Sequence, residues 1–312
     1  MPSVPQLGRN DGVGAVPDTA GRPGVPARFS RFVEPLVLLG PGLLFYAVLV
    51  AAPLLLVVGY MFATRGRFGG VEWTLNLDNF ARALDPLYVD VLRSSIGIAL
   101  LATALALFLG YPTAYAITKL PARWRTVALI LVVVPFWTNF LIRIYAWIIL
   151  LNSQGVLNDM LLAVGVVDDP VGLLYTRGAV VVGLVYVYLP LMILPLYAAI
   201  EKVDPELLEA SSNLGATRAR TFWSVMLPLT LPGAVTGSIL VFVPSLGNFV
   251  VPELLGGGKT VMVGNLIRDQ FLKAQDWPFG SVLAMVVVVA LLGLFLLQAL
   301  VTRWVEGGTA RG

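Results

Sequence analysis

The feature that most constrains this chain is a set of long apolar runs, each of about the length a helix needs to cross a bilayer. Six stretches qualify: Leu36–Phe62, Ser95–Ile117, Val127–Leu151, Val180–Ala199, Leu231–Val251 and Val282–Val301. They lack the stripes of soluble amphipathic helices, so lipid and neighbouring helices are their expected surroundings. Only 12 % of residues are charged, about half the share usual in a soluble domain. The expectation is an all-α integral membrane protein of about six transmembrane helices, with loops taking up most of what remains.

The same composition removes several chemistries. The 312 residues include no Cys and no His, which excludes disulfides, thiolate nucleophiles, imidazole bases and most zinc or iron sites. No catalytic set and no metal site is expected. A formal charge of +3 spread over many loops gives no nucleic-acid footprint. Residues 1–34 begin with a Gly- and Pro-rich stretch lacking an apolar period, so a disordered tail is expected there. The first apolar run lies too far from the N-terminus for a signal peptide and is read as a retained span.

Lys and Arg in short loops set orientation. Arg28 and Arg31 precede the first span, Lys119, Arg123 and Arg125 fill the loop after the second, and Arg303 follows the last. An even span number puts these on one side, the cytoplasm, with both termini. The loop before the fourth span carries Asp159, Asp168 and Asp169 against Arg177 and belongs outside. The loop at 63–94 mixes both signs and is read as periplasmic, and 302–312 as a cytoplasmic tail.

Within the spans, Ala102, Ala106, Gly110 and Ala114 recur every four residues, a small-residue stripe that lets another backbone approach closely. Gly233 and Gly237, then Pro244 and Gly247, mark the fifth span. A bend or break is expected near Pro244, either a packing kink or an opening beside a transport path. Arg143 is placed about 24 Å along the third helix at 1.5 Å per residue, followed by Tyr145 and Trp147, and reads as an anchor snorkelling to the outer interface. No Asp or Glu lies well inside a span, whereas ion-coupled carriers usually need such groups. The driving energy is therefore expected from another subunit. The run Gly256-Gly257-Gly258-Lys259-Thr260 looks like the end of a phosphate-binding loop, but that motif needs Gly where Glu253 stands. It is read as a flexible outer turn.

The loop between the fourth and fifth spans, about 201–230, is the most informative. Asp204 can cap free backbone donors, Pro205 suits the first helical position, and Glu206 favours the positive end of the helix dipole. Leu207, Leu208, Ser211 and Leu214 are expected to form one face, with Gly215 as the stop. A second short helix is expected from Thr217 until Pro228 and Pro232 interrupt it. The whole is a helix–turn–helix elbow at the membrane surface.

Glu209-Ala210-Ser211, three residues, Gly215, nine residues, then Val225-Met226-Leu227-Pro228 resembles the Glu-Ala-Ala loop of permease subunits in binding-protein-dependent ATP-binding-cassette (ABC) importers. Ser211 stands for the second Ala of that pattern and Val225 for a related aliphatic. The resemblance implies a type I ABC importer permease fold, in which Glu209, Ala210, Ser211, Gly215, Leu227 and Pro228 dock on the ATPase. It implies as partners a cytoplasmic ATPase dimer holding ATP and Mg, a second similar permease, and a periplasmic or lipid-anchored substrate-binding protein. This chain itself would hold no cofactor and hydrolyse nothing. Gly110-Tyr111-Pro112-Thr113-Ala114-Tyr115, Arg143-Ile144-Tyr145-Ala146-Trp147, Pro244-Ser245-Leu246-Gly247-Asn248-Phe249 and Pro252-Glu253-Leu254-Leu255-Gly256-Gly257 look like the subfamily importing spermidine and putrescine. The implied localisation is the bacterial inner membrane. Trp137, Tyr145, Phe242, Asn248, Phe249 and Glu253 are the candidate path residues, aromatic faces for ammonium groups and one carboxylate at the outer mouth. Amino-acid derivatives or ferric iron are the alternative cargoes of such permeases, and an ATP-independent carrier is the alternative class.

Overall fold

The computed structural model describes residues 39–309, without the side chains of 297 and 299–309. The disordered tail expected at 1–34, the start of the first apolar run and the last three residues lie outside the described residues. Contacts divide the chain into two units meeting at Leu56 and Val57. Helix α1 (Leu39–Tyr60), whose last four residues belong to the second unit, contains a π turn at Ala47–Ala51 and has no charged residue.

In the rest of the described chain the regular elements are helices apart from one hairpin of two-residue strands, β1 (Thr64–Arg65) with β2 (Val71–Glu72). Helix α2 (Asp78–Ala83) follows, and α3 (Pro86–Thr118) begins nine residues before its apolar run. Asp85 accepts a hydrogen bond from Leu87 N at 2.9 Å and Pro86 takes the first turn, so capping chemistry lengthens the helix and shortens the loop expected at 63–94.

The expected third span is in two pieces, α4 (Ala122–Trp137) and α5 (Phe140–Leu151). Thr138 is extended at ψ 156°, and the Asn139 side chain accepts from Leu141 N and Ile142 N, starting a new helix in the middle of an apolar run. Helix α6 (Val156–Ala163) follows, and α7 (Arg177–Glu201) contains the fourth span. Helix α8 (Pro205–Asn213) leads into α9 (Arg218–Gly247), which carries the fifth span. Pro228 and Pro232 do not interrupt α9. A π turn at Phe222–Met226, closed by Leu227 N on Phe222 O, widens the helix just before Pro228, where a proline ring would crowd an ordinary turn. Helices α10 (Val250–Gly256) and α11 (Val263–Leu272) precede α12 (Trp277–Thr309), whose helical backbone continues into the expected C-terminal tail.

The core is the bundle of α3, α7 and α9. The expected stripe on α3 is its buried face: Ala102, Ala106 and Ala114 are fully covered, and Gly110 is buried with them. Met192 of α7, also fully buried, lies where a Cβ on Gly110 would meet its Cγ at 2.8 Å and a Cβ on Gly237 of α9 its Sδ at 2.8 Å. One flexible side chain thus fills the gap left by two glycines. Tyr111 and Thr230 hydroxyls join α3 to α9 at 2.9 Å.

Candidate functional site

The two ends of α7 define two sites. Beyond its C-terminal end lies the elbow. Asp204 Oδ1 accepts from Glu206 N at 2.9 Å, Pro205 sits at the first position, and α8 ends before Gly215, whose φ of +79° is left-handed. Thr217 then caps α9 through Arg220 N. The two helices of the elbow are tied by Ser211 Oγ and Thr221 Oγ1 at 2.9 Å, so the serine that departs from the family pattern has a partner of its own.

The single apolar face expected on α8 is divided. Leu208 packs against the core and Ser211 points to Thr221, while Leu207 and Leu214 are exposed, Leu214 at 89 %. Leu207, Ala210 and Leu214 follow helical spacing on the outward side, with Glu206 and Glu209 exposed beside them and Trp223 67 % exposed across the turn. Leu227 is half-buried and Pro228 exposed. The basic loop after α3 shares this end: Arg125 Nη1 donates to Glu201 at 2.8 Å and Nη2 to Thr118 O at 2.9 Å, and Tyr197 OH donates to Glu201 at 2.6 Å.

At the opposite end of α7, Tyr175 N donates to Leu255 O at 2.9 Å, fixing α10 beside the start of α7. The break expected near Pro244 falls at Asn248 and Phe249 instead. Pro244 stays helical, whereas Asn248 turns extended at ψ 129° because its side chain caps α10: Oδ1 accepts from Val251 N at 2.9 Å and Nδ2 donates to Tyr188 OH at 2.8 Å. Asn248 is thus the cap of the break.

Four residues on, Glu253 faces α11. Arg268 Nη2 donates to Glu253 Oε2 at 3.0 Å, and Asn265 Nδ2 donates to the same oxygen at 3.2 Å and to Phe249 O at 2.8 Å. Arg268 also binds Asp269 through Nη2 at 2.6 Å and Nε at 2.9 Å, and Lys273 Nζ reaches Asp269 at 3.0 Å. The Arg268 guanidinium carbon lies 5.5 Å from the Phe249 ring centre. The hydrogen bond to Asp269, partly opposed by burial and joined by Glu253, raises the Arg268 pKa. Burial pushes Asp269 up, but the hydrogen bonds and charges of Arg268 and Lys273 outweigh it and hold its carboxyl below the usual range. Glu253, the carboxylate expected at the outer mouth, is paired with Arg268 in this structure.

Of the six candidate path residues, the structure brings together Asn248, Phe249 and Glu253. Phe242 lies earlier on α9, packed with Ala99, Leu246, Val263 and Val287. Trp137 and Tyr145 stand exposed on either side of the α4–α5 break, at 81 % and 54 %. Sequence reasoning missed Arg268 and Asn265, which carry no periodic signal and lie 15 and 12 residues from Glu253. It also misplaced Arg143. A straight third helix would bring that side chain to the interface, but α5 restarts at Asn139, and Arg143 is 9 % exposed between Phe136 and Phe140, each ring centre 5.9 Å away, with Nε buried and unpartnered. The glycine run begins as the last residue of α10 and turns at Gly257 and Gly258, both left-handed and exposed like Lys259, while its ends Gly256 and Thr260 are buried.

Residues 103–306 match the family described as "Binding-protein-dependent transport system inner membrane component". The chain is 46 % identical over 248 residues to "Spermidine/putrescine transport system permease protein PotB" of Escherichia coli (strain K12), covering 80 % of this chain and 90 % of that protein. The protein of the same name from Haemophilus influenzae is 43 % identical over 251 residues, 80 % of this chain and 85 % of the relative. Among solved structures, a chain of a bacterial alginate ABC transporter in complex with its alginate pentasaccharide-bound periplasmic protein superposes with a TM-score of 0.66 at 17 % identity, over 86 % of this chain and 93 % of that chain. That likeness gives the fold, and among the described residues six helical stretches, with α5 and α6 counted as one (Phe140–Ala163), are long and apolar enough to span a membrane. With its family match over about two thirds of its length, the chain belongs to the inner membrane components of binding-protein-dependent transport systems.

Proposed function

We propose that this chain is the permease subunit of an ATP-driven importer that moves a polyamine such as spermidine or putrescine across the bacterial inner membrane. The observation that carries the cargo is identity of 43–47 % over four fifths of the chain to relatives named for spermidine and putrescine. The chain supplies no chemistry of its own. ATP and Mg belong to a cytoplasmic ATPase dimer, a second similar permease completes the pathway, and a periplasmic or lipid-anchored binding protein delivers the cargo.

Coupling falls to the elbow. The exposed stripe of Leu207, Ala210 and Leu214 beside Glu209 is suited to a groove on another protein, because its apolar area has no partner among the described residues. Gly215, Leu227 and Pro228 shape the same surface. The shared end of this elbow and the Lys119–Arg125 loop supports a cytoplasmic face with both termini, under the positive-inside rule. The opposite end, with Asn248, Phe249 and Glu253, is then the outer mouth, and Trp137, Tyr145 and Phe242 are further positions for contact with the cargo.

The test is uptake into liposomes holding the full complex. Labelled spermidine or putrescine should enter only with ATP and loaded binding protein, and Glu209→Lys should lower both uptake and transport-stimulated ATP hydrolysis. Uptake of an anionic or neutral solute against which excess polyamine does not compete would overturn the cargo. Normal coupling in Glu209→Lys would overturn the role of the elbow.

A further inference from the structure

The carboxylate and the aromatic ring at the outer helix break form the pair of groups that recognises an alkylammonium ion, a negative charge beside a π face. In this structure a cation already occupies that pair. The Arg268 side chain, 17 % exposed, donates to Glu253 at 3.0 Å while its guanidinium carbon lies 5.5 Å from the Phe249 ring centre. Asn265, 4 % exposed, fixes the geometry by donating to both the Glu253 carboxylate and the Phe249 carbonyl.

We infer that Arg268 is an internal plug: it holds the Glu253–Phe249 cation site in the absence of cargo, and an ammonium group of the incoming polyamine displaces it. This rests on the polyamine reading above. The plug can leave without stranding its charge. Arg268 has two hydrogen bonds to Asp269, at 2.6 and 2.9 Å, besides the one to Glu253. Swinging off Glu253 therefore gives up one charge-assisted bond and keeps an anionic partner. Glu253, with its side chain 45 % exposed, is accessible from solution and keeps Asn265 as a donor on the oxygen that Arg268 releases. Entry of a cargo ammonium exchanges one cation for another, so the site need not pass through an unpaired carboxylate. A neutral or anionic solute cannot make that exchange, which gives the mouth a charge filter that is closed when empty.

The experiment uses the assembled complex in nanodiscs without its binding protein, and equilibrium binding of labelled spermidine. Arg268→Gln removes the competitor and should tighten binding about two- to fivefold, the scale of an ion pair partly open to water. Arg268→Lys keeps a cation in place and should stay within about twofold of wild type, and it also shows that the fold tolerates change here. In an Glu253→Gln background the gain from Arg268→Gln should vanish. Unchanged, weaker or undetectable binding by Arg268→Gln, or a gain that persists without Glu253, would overturn the plug. A wild-type complex that takes up no polyamine from loaded binding protein would instead overturn the function on which it rests.

Discussion

Replacing Gly233 by Ala adds one methyl group where α9 crosses α7. A Cβ there would lie 2.3 Å from the Ala199 Cβ and 2.8 Å from the Pro195 carbonyl oxygen. Carbon atoms in contact prefer about 3.5–4.0 Å, so the shortfall is about 1.2 Å at the first of these. Neither neighbour can rotate away, because one is fixed to its Cα and the other is backbone. The helices must separate by about 1 Å, and a gap of that size forfeits a quarter to a half of each contact's attraction. Overpacking usually costs about 1–3 kcal/mol, and this rigid site belongs at the upper end. Lipid provides no hydrophobic force to press the helices back together. Thermal aggregation of the detergent-solubilised complex should begin about 4–12 °C lower, taking the about 2–4 °C per kcal/mol of larger domains. Gly110→Ala should cost less, since its clash is with the flexible Met192 side chain. Gly97→Ala, whose Cβ meets nothing within 4 Å, should be neutral or slightly stabilising. A Gly233→Ala complex that melts with wild type, or a Gly110→Ala complex that falls as far, would refute this account of the helix crossing.

Gly215→Val should leave the protein inserted but reduce uptake, because φ +79° strains a β-branched residue while its Cβ meets nothing within 4 Å; Gly215→Asn should retain most of the transport, and uptake normalised to membrane protein on a blot separates the two. The lowered pKa of Asp269 means that its ionised form stabilises the folded cluster. That contribution is complete above the ordinary carboxylate pKa of about 3.9 and is lost as pH falls through the depressed folded value. Hydrogen exchange of α11, corrected for its intrinsic pH dependence, should therefore show protection that is flat near neutrality and declines below about pH 4, and Asp269→Asn should lower the neutral value and flatten the decline.

Hydropathy located all six apolar runs because lipid imposes length and composition on anything that crosses it. It was blind to how the third and fifth runs are divided. Thr138 and Asn139, two polar residues in a run of 25, interrupt the first of these without ending its apolar stretch, and the information lies in one side chain capping two amides. Pro244 drew attention in the fifth run because proline lacks a donor, yet the chain breaks at Asn248, where a side-chain acceptor makes a new helix start favourable. The elbow was legible almost residue by residue, since caps and stops are local. Its faces were not, because the choice between Leu207 and Leu208 as the inward residue depends on where α9 lies. The ion cluster around Glu253 was invisible for the same reason: its members come from two helices whose approach is a tertiary fact.

The unbroken course of α9 has a mechanical consequence. Its 30 residues stay helical from the elbow to the cap at Asn248, through the π turn at Phe222–Met226 and past Pro232 and Pro244, and span about 45 Å. The Ser211–Thr221 bond fastens α8 to its near end. A lever of that length tilted by about 5° carries its far end about 4 Å, comparable to the distance over which Arg268 must release Glu253. On the coupling role proposed for the elbow, a tilt there is expected to reach the Asn248 cap as a displacement of that size.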